Sequence, residues 1–424
     1  MRILLGLGEV AGYNHYLKKG FEKLGIPCSL LVEKPHPFKY GSEEGQNVLL
    51  QFKTYAANQR MKTSGSFPPV KAFWVLTHRA AQLLLFLWAF LFHDVFIFSF
   101  TTSFFQFKEL PLLRLFRKKI IYIFHGSDSR PSYLNGSHGL KSDPSAVERI
   151  LRSINRIKGK LQTIEHHADI IISHPLASHF HQRTFFSLHL LGFPFDSSRV
   201  PPSGSFATGK VRILHAPSRE DTKGTEVITR MIDRLRAKGH ALEFIKISGQ
   251  PNDIVLSEIS KCDFVIDQLY ADTPMACFAT EAAFFGKPAI VAGYAKEEFS
   301  KIFPGGMLPP SHYCLPEEME SGIERLVVDE NYRRELGRQV RAYVEKNRRC
   351  EVVAERFLKM IRGGFPKEWT YDPKNIRYLY GCGLRRDQVE AMVHAVIQKG
   401  TKEALQLSDK PELEELFEKF SENF

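Results

Sequence analysis

The sequence predicts an α/β protein with two doubly wound domains and a helical C-terminal extension. The chain has 424 residues, which is longer than one typical domain, and 43% of them are apolar. Short β-rich apolar runs alternate with helical patterns in both halves. A Pro-, Ser- and Gly-rich break at residues 194–210 separates the halves. The predicted domains are therefore residues 1–195 and 210–360, and the extension is 361–424.

The first half has the pattern of a parallel sheet covered on both faces. Strands are predicted in the runs RILLGLG, CSLLVE, DVFIFSF, KKIIYIF and ADIIIS, with helix-length connections between them. Its most apolar stretch, residues 80–92, spans only about 20 Å as a helix, which is short of a bilayer crossing. We expect this helix to pack on the sheet, with contact to a membrane surface as the alternative.

The second half begins a new α/β series. Its predicted strands lie in VRILHAP, ALEFIKIS, DFVIDQL and KPAIVAG, and GTEVITRMIDRLRAKG is a predicted helix. One long amphipathic helix is predicted over residues 341–364. A terminal helix over 408–424, which begins with Ser, Asp and a following Pro, is expected to be structural.

Composition limits the classes of partner and compartment. A net charge of +11 suits anionic partners such as nucleotides, polyanions or acidic membrane surfaces. The basic residues are scattered without an aromatic and basic array, so we expect no nucleic acid partner. Six distant cysteines without a C-x-x-C pair favour a reducing cytoplasm. The first residues do not form a secretory segment. The expected location is the cytoplasm, with the inner face of the membrane as an alternative.

The segment GLGEVAG, residues 6–12, has the glycine spacing of a dinucleotide-binding loop. Gly6, Gly8 and Ala11 match G-x-G-x-x-G/A after a first strand. Glu33 ends the next apolar run, where such a domain keeps an acid for a ribose hydroxyl. Taken alone, this segment favours NAD. The same spacing also serves any tight turn after a first strand.

The segment ILHAPSREDTKGTEVI, residues 213–228, predicts a diphosphate site. A strand leads into a loop with Arg219 and Lys223, and Gly224 then precedes a helix. Cationic side chains and the free amides of a helix N-terminus both neutralise phosphate. The alternative is a solvated charged loop.

A second segment, CDFVIDQLYADTPMACFATEAAFFGKPAIVAG, residues 262–293, supports this interpretation. Its helix carries Glu281 among Ala and Phe residues. An acid in such apolar surroundings must have a bonding partner or a functional role. A carboxylate at this place can accept both hydroxyls of a ribose.

These two segments resemble the donor-binding half of nucleotide-sugar glycosyltransferases with the GT-B fold, and most closely the retaining enzymes of glycosyltransferase family 4. The resemblance spans roughly residues 1–360. It implies that Arg219 and Lys223 hold the donor pyrophosphate and that Glu281, the second acid of the family's E-x7-E motif, binds the ribose. The first acid would fall at Thr273, and Asp272 lies one residue before it. Either Asp272 reaches the donor sugar or backbone amides of residues 274–277 do so.

The N-terminal half fits the same resemblance. FHGSDSRP, residues 124–131, is similar to the family's loop in which a His lies near the reacting sugar. That residue would be His125, with Asp128 and Arg130 beside it near the acceptor and sugar. GLGEVAG would then close over the donor phosphates, and Glu33 would be an ordinary residue at a strand end. The residues expected to bind the donor are Gly8, Gly12, Ser218, Gly224, Asp272, Thr273, Met275, Ala276, Cys277 and Glu281.

Two other groups of residues have weaker functional interpretations. Five histidines between residues 166 and 181 could suggest a metal, but their spacing matches no known metal motif. Cys277 could be a nucleophile by position, yet no basic residue adjoins it in sequence, so packing is the expected role.

The resulting functional hypothesis is a glycosyltransferase that needs neither metal nor cofactor. Its substrates would be a nucleoside-diphosphate sugar and a glycan or lipid-linked acceptor, with His125, Arg219 and Lys223 as the catalytic residues. As the resemblance implies, transfer would retain the anomeric configuration. Two alternatives stay open. One is an NAD-dependent oxidoreductase, and the other is a GT-B-like protein that binds a nucleotide or glycan without turnover, as Thr273 in place of an acid suggests.

Overall fold

The computed structural model describes residues 1–34, 36–40, 47–63, 65, 67–138, 145–200 and 209–422. Residues 201–208, which belong to the predicted break between the halves, lie outside the described residues, as do residues 423–424. Every strand predicted from an apolar run is present. The two α/β halves form two separate sheets, which confirms the predicted fold class.

The first sheet begins at Ile3, and a strand of the C-terminal extension forms one of its edges. Strands β1 to β6 are Ile3–Leu7, Cys28–Val32, Val95–Ser99, Lys119–Ile123, Ile170–Ser173 and Phe185–Ser187. The connecting helices α1 to α6 are Tyr13–Lys23, Val48–Lys62, Pro68–Phe92, Leu110–Leu115, Ala146–His167 and Leu188–Leu191. The strand order is β2, β1, β3, β4, β5, β6, all parallel. The order reverses at β1, so the loop after β1 opens at a topological switch point.

The second sheet has five parallel strands. Strands β7 to β11 are Val211–His215, Leu242–Lys246, Phe264–Ile266, Ala289–Ala292 and His312–Cys314. Helices α7 to α13 are Glu220–Lys223, Thr225–Ala237, Asn252–Lys261, Cys277–Phe284, Lys296–Ile302, Met319–Val328 and Glu330–Asn347. The order β11, β10, β9, β7, β8 places its switch point between β7 and β9. The loops carrying residues 216–224 and 267–276 therefore leave the sheet side by side.

The chain then returns to the first domain. Residues 341–364 do not form the single helix expected from sequence, because α13 ends at Asn347 and a new helix, α14 Cys350–Arg362, begins after Arg348 and Arg349. Val353 and Phe357 of α14 belong to the first domain's core. The break lets the chain leave one domain and pack on the other.

The C-terminal extension also packs on the first domain. It contains strand β12 Thr370–Tyr371, which pairs antiparallel with β6, and helices α15 Arg386–Gly400 and α16 Pro411–Ser421. Its apolar residues Val389, Val393 and Phe417 are fully buried in the core of the first domain. The terminal helix is therefore part of the fold.

The apolar stretch at residues 80–92 is the second half of α3. Leu85, Phe86 and Ala89 are buried, as expected for a helix packed on the sheet, whereas Leu83 and Leu87 are exposed. Within the described residues, α3 is the one helix that is long and apolar enough to cross a membrane.

Candidate active site

A cavity of about 280 Å³ lies between the domains at the two switch points. Residues of both domains form its walls. They are Val10, Ala11, His36, Phe38, Tyr40, Ala216, Pro217, Ser218, Lys223, Ile247, Gly249, Gln250, Asn252, Val255, Asp267, Ala276, Cys277, Phe278 and Glu281. Carboxyl edges of parallel strands are where open α/β sheets bind ligands, so this cavity is the candidate site.

Lys223 supplies a cation to the cavity wall. Its Nζ lies 3.1 Å from Oδ1 of the buried Asp267, whose Oδ2 has no partner among the described residues. Gly224 follows with φ of 71°, and a Cβ at this position would lie 2.7 Å from the Leu269 Cβ. Only glycine therefore allows the close turn that leads into α8 and leaves Lys223 at the cavity.

The N-terminus of α10 faces the cavity. Ala276, Cys277 and Phe278 line the wall, and among the residues that the structure describes no side chain caps the helix at Ala276. The first turn carries no acidic residue. The first amides of an α-helix have no partner within the helix and carry a partial positive charge, so this end of α10 and Lys223 together suit an anion.

Glu281 lies one turn further along α10 and is almost completely buried. Its Oε1 accepts a hydrogen bond from Nδ2 of Asn252 at 2.8 Å, and its Oε2 has no partner in the described part of the chain. Burial raises the pKa of Glu281 to about 8. Arg199 donates to Oδ1 of Asn252 at 2.9 Å. The carboxyl thus offers one unsatisfied oxygen to a ligand.

The first domain closes the other side of the cavity. Val10 and Ala11 come from the predicted glycine loop, whereas the amide of Gly8 donates to Oγ1 of Thr102 at 3.1 Å. Gly12 adopts φ of 77° and precedes α1. The two glycines therefore shape the loop, and Val10 and Ala11 between them face the cavity.

His125 lies behind this loop with Tyr13. The two rings meet edge to face with centroids 5.2 Å apart, and the His125 amide donates to Oδ1 of Asp128 at 2.8 Å. Burial lowers the pKa of His125 to about 3 and raises that of Asp128 to about 7. His125 is therefore a neutral imidazole, and its Nε2 lacks a partner among the described residues.

Arg130 and Asp272 form a buried ion pair between the two domains. The pair lies away from the cavity wall described above. His174 of the first domain also reaches this place, with Nε2 2.6 Å from Oγ1 of Thr273 and 3.7 Å from Oδ1 of Asp272. The Arg130 guanidinium, together with His174, holds the pKa of Asp272 below its usual range against the effect of burial. Asp272 is thus committed to a contact between the domains.

The remaining residues predicted from sequence differ in how exposed they are and in whether they line the cavity. Ser218 lines the cavity, whereas Arg219 is half exposed and pairs with Asp221 at 2.8 Å. Met275 is buried in the second core. Glu33, the acid that favoured NAD, is ion-paired with Lys53.

The structure shows the surroundings of the clustered histidines and of Cys277, the two groups with weaker functional interpretations. His179 bonds to the Tyr378 carbonyl and His181 to Glu165, each at 2.7 Å. No group of three or more potential metal ligands occurs among the residues with described positions. Burial raises the pKa of the Cys277 thiol, which disfavours the thiolate that a nucleophile requires.

Sequence reasoning missed part of the cavity wall. His36, Phe38 and Tyr40 follow β2, and Gln250 and Asn252 follow β8. Their position in sequence could have identified them, because both segments lie in the connections that follow strands β2 and β8 at the carboxyl edges of the two sheets.

Comparisons with known proteins identify the fold. No protein-family model and no curated sequence matches the chain. An α-glucosyltransferase solved with UDP and a mismatched 13-mer DNA is 13% identical, with a TM-score of 0.50, and the match covers 85% of this chain and 98% of that one. A sucrose-phosphate synthase from Thermosynechococcus elongatus is 14% identical, with a TM-score of 0.46 and coverage of 86% and 99%. HepE from Anabaena, solved with UDP, is 12% identical, with a TM-score of 0.45 and coverage of 86% and 100%.

The match to the α-glucosyltransferase extends over both domains and agrees with the two parallel sheets and the cavity between them. It concerns architecture, since so low an identity carries no residue role from one protein to the other. The chain has the GT-B fold.

Proposed function

We propose that the protein is a glycosyltransferase that moves a sugar from a nucleoside-diphosphate sugar to an acceptor. One observation carries the proposal. Lys223, the uncapped N-terminus of α10 and the unsatisfied oxygen of Glu281 line one cavity between the domains of a GT-B fold. A cation and free amides fit a diphosphate, and a carboxyl one turn away fits the hydroxyls of a ribose.

The donor would extend across the second domain. The diphosphate would lie between Lys223 and the amides of residues 276–278, and the ribose at Glu281. The base would then reach the side of the cavity formed by Phe38, Tyr40 and Gln250. As the family resemblance implies, Arg219 would also contact the diphosphate, and its half-exposed side chain could turn from Asp221 toward the ligand.

The reaction breaks the bond between the sugar C1 and the diphosphate oxygen and forms a bond between C1 and the oxygen of an acceptor hydroxyl. The hydroxyl proton would pass to the departing diphosphate. Negative charge develops on the departing diphosphate, where Lys223 and the helix amides would stabilise it. His125, which is neutral and whose Nε2 has no partner within the described part of the chain, would orient the transferred sugar. Retention, independence of metal and a hexosyl donor are further parts of the proposal and follow the resemblance to family 4.

The sugar contact departs from the family motif. Asp272 is engaged by Arg130, so backbone amides of residues 274–277 are the groups we propose for the donor sugar. The acceptor, a glycan or lipid-linked molecule, would bind mainly to the first domain, and the proposed location is the cytoplasm.

Binding and turnover must be measured separately to test this function. Ligand-detected NMR against nucleotide sugars, nucleoside diphosphates, nucleosides and NAD should show binding of a nucleotide sugar. Release of diphosphate from that donor should follow, and should increase with a suitable acceptor. Binding of NAD without any nucleotide sugar would reject the proposal.

The buried Arg130–Asp272 pair supports a second candidate, a GT-B domain that binds a nucleotide sugar without turnover. The position expected to contact the donor sugar is Thr273, bonded to His174, and the neighbouring acid is neutralised by Arg130. Donor binding with neither hydrolysis nor transfer across a broad acceptor panel would favour this candidate.

A further inference from the structure

A broad apolar surface on the first domain is exposed. It is formed by α2, α3 and α4, and we call it the α2–α4 face. Its exposed large apolar residues are Val48, Phe52, Tyr55, Met61, Phe67, Val70, Phe73, Leu76, Leu83, Leu84, Leu87, Leu91, Phe92, Leu112, Leu115 and Phe116. So large a group of neighbouring exposed apolar side chains is unusual for a soluble surface and indicates an interaction site.

The exposed residues of α3 follow helical spacing. Leu76, Leu83, Leu87 and Leu91 recur at intervals of seven, four and four residues along one side, opposite the buried side that holds Leu85. The face continues onto α4, where the rings of Phe90 and Phe116 lie 5.1 Å apart. These helices therefore present one continuous apolar surface.

The packing of α3 determines how it can meet a bilayer. Ala81, Leu85, Phe86 and Ala89 are held in the core of the first domain or against it. Crossing a bilayer would remove these residues from the core. A helix with one face in a protein core and the other face apolar and exposed is suited to lie in the plane of a membrane surface.

The charge of this face identifies its partner. Residues 47–93 contain no Asp or Glu. Their basic residues are Lys53, which is buried and paired with Glu33, and Arg60, Lys62, Lys71 and Arg79. Residues 110–119 likewise have no acid and contain Arg114, Arg117, Lys118 and Lys119. A second copy of the chain would bring the same positive charge against this face and be repelled. Anionic lipid head groups would attract this positive charge.

We propose that the α2–α4 face binds peripherally to an anionic lipid bilayer, with the apolar side of α3 inserted among the head groups. This binding does not depend on transferase activity. Taken together with the proposed function, this binding favours a lipid-linked acceptor over a soluble glycan, because the domain that binds the acceptor would lie on the bilayer. The Lys53–Glu33 pair ties α2 to the end of β2, beside the segment that lines the cavity.

Vesicle flotation tests this inference directly. The full-length protein should float with vesicles of phosphatidylcholine containing 30% phosphatidylglycerol, and bind pure phosphatidylcholine at least tenfold more weakly. The variant L76S/L87S should lose at least tenfold in affinity for the anionic vesicles, because two inserted leucines are removed. The matched control I254S/V328S, on exposed sites of the second domain, should bind like the unmodified protein.

Three results would overturn the inference. These are no flotation of the unmodified protein at 0.1 M salt, equal flotation of L76S/L87S, and a dimer in light scattering that L76S/L87S converts to a monomer. The dimer result would assign the face to a second copy. Diphosphate binding measured on the same samples separates this inference from the proposed function: loss of flotation with intact binding concerns the face alone. Thermal unfolding of each variant confirms that the fold is intact.

Discussion

At the scale of single residues, Lys223 is the cation that the cavity wall presents. Lys223→Ala should weaken a nucleoside diphosphate by about tenfold to a hundredfold and leave the free nucleoside nearly unchanged, since one charge-assisted contact to phosphate is lost. Isothermal titration of both ligands measures the difference. Lys238→Ala removes the same charge from an exposed helix end of the same domain and should change neither. Equal losses for nucleoside and diphosphate would contradict the role of Lys223.

Glu281 links the site to the pH dependence of stability. Its pKa is about 8 in the folded protein and near 4.5 in the unfolded chain. Between these values the folded state keeps a proton that the unfolded state has lost, so the contribution of Glu281 to the free energy of unfolding falls by about 1.4 kcal/mol per pH unit as pH rises. Glu281→Gln removes this titration and keeps an oxygen for Asn252.

We therefore expect Glu281→Gln to gain stability over the unmodified protein as pH increases from 5 to 8, while ribose-containing ligands bind more weakly. Urea unfolding at several pH values measures the first effect, and titration with the diphosphate measures the second. A constant stability difference across this range would show that Glu281 is ionised in the folded state.

His125 should affect turnover more than donor binding. His125→Ala is expected to lower kcat on the order of 100-fold with a modest change in donor affinity, because its contact matters most as charge develops on the sugar. Tyr13→Phe keeps the ring that packs on His125 and removes only the hydroxyl bonded to the Gly192 carbonyl, so it serves as the control. A fully active His125→Ala variant would assign the residue a structural role.

At the scale of elements, the contact between the loop after β4 and the loop after β9 depends on one buried pair. Arg130→Met would leave the Asp272 charge buried without its partner and should cost about 3 to 5 kcal/mol of unfolding free energy. The double variant Arg130→Met/Asp272→Leu should lose less than the sum of the single variants. Chemical denaturation of the four proteins gives the coupling. Arg338→Met removes a cation from an exposed pair on α13 and should change stability by no more than about 0.5 kcal/mol.

A further variant at Asp272 tests the sugar contact. If backbone amides hold the donor sugar, Asp272→Asn should weaken a nucleotide sugar and its diphosphate to the same extent. A selective loss for the nucleotide sugar would return Asp272 to the place of the missing acid.

The elements were largely predictable from sequence, because the central parallel strands, such as β1, β3 and β10, are buried on both faces and appear as continuous apolar runs. The break between α13 and α14 was not. Arg348 and Arg349 are compatible with an amphipathic helix, and the helix ends there because the chain must cross to the first domain. Local pattern carries no information about such a long-range requirement.

The candidate site was predictable where chemistry and strand ends coincide, as for Lys223 and Glu281. The Arg130–Asp272 pair was not predictable as a pair, since its members are 142 positions apart and each resembled an independent ligand group. Phe38 and Tyr40 are likewise ordinary apolar residues in sequence. They become part of a site only when the second domain lies opposite them, as the bond from the Asn252 amide to the Phe38 carbonyl illustrates.

At the scale of the whole molecule, the extension joins the two domains. The Gly136 amide donates to the Cys382 carbonyl, and the Gly383 amide donates to the Tyr270 carbonyl, each at 2.9 Å. The first contact is with the first domain and the second with the loop after β9. The extension is therefore positioned to hold the domains in the orientation that forms the cavity.

A chain ending at residue 364 should consequently lose structure in the first domain and keep it in the second. Removal of the extension exposes the core residues around Phe180 and Tyr133 that Phe417 now covers, and it deletes the strand paired with β6. Hydrogen exchange should show faster exchange in β6 and α5, while β7 and β9 keep their protection. Phe417→Ala in the full-length chain should show the same pattern at a cost of about 3 to 5 kcal/mol. Equal loss of protection in both sheets would instead indicate that the two domains unfold as one unit.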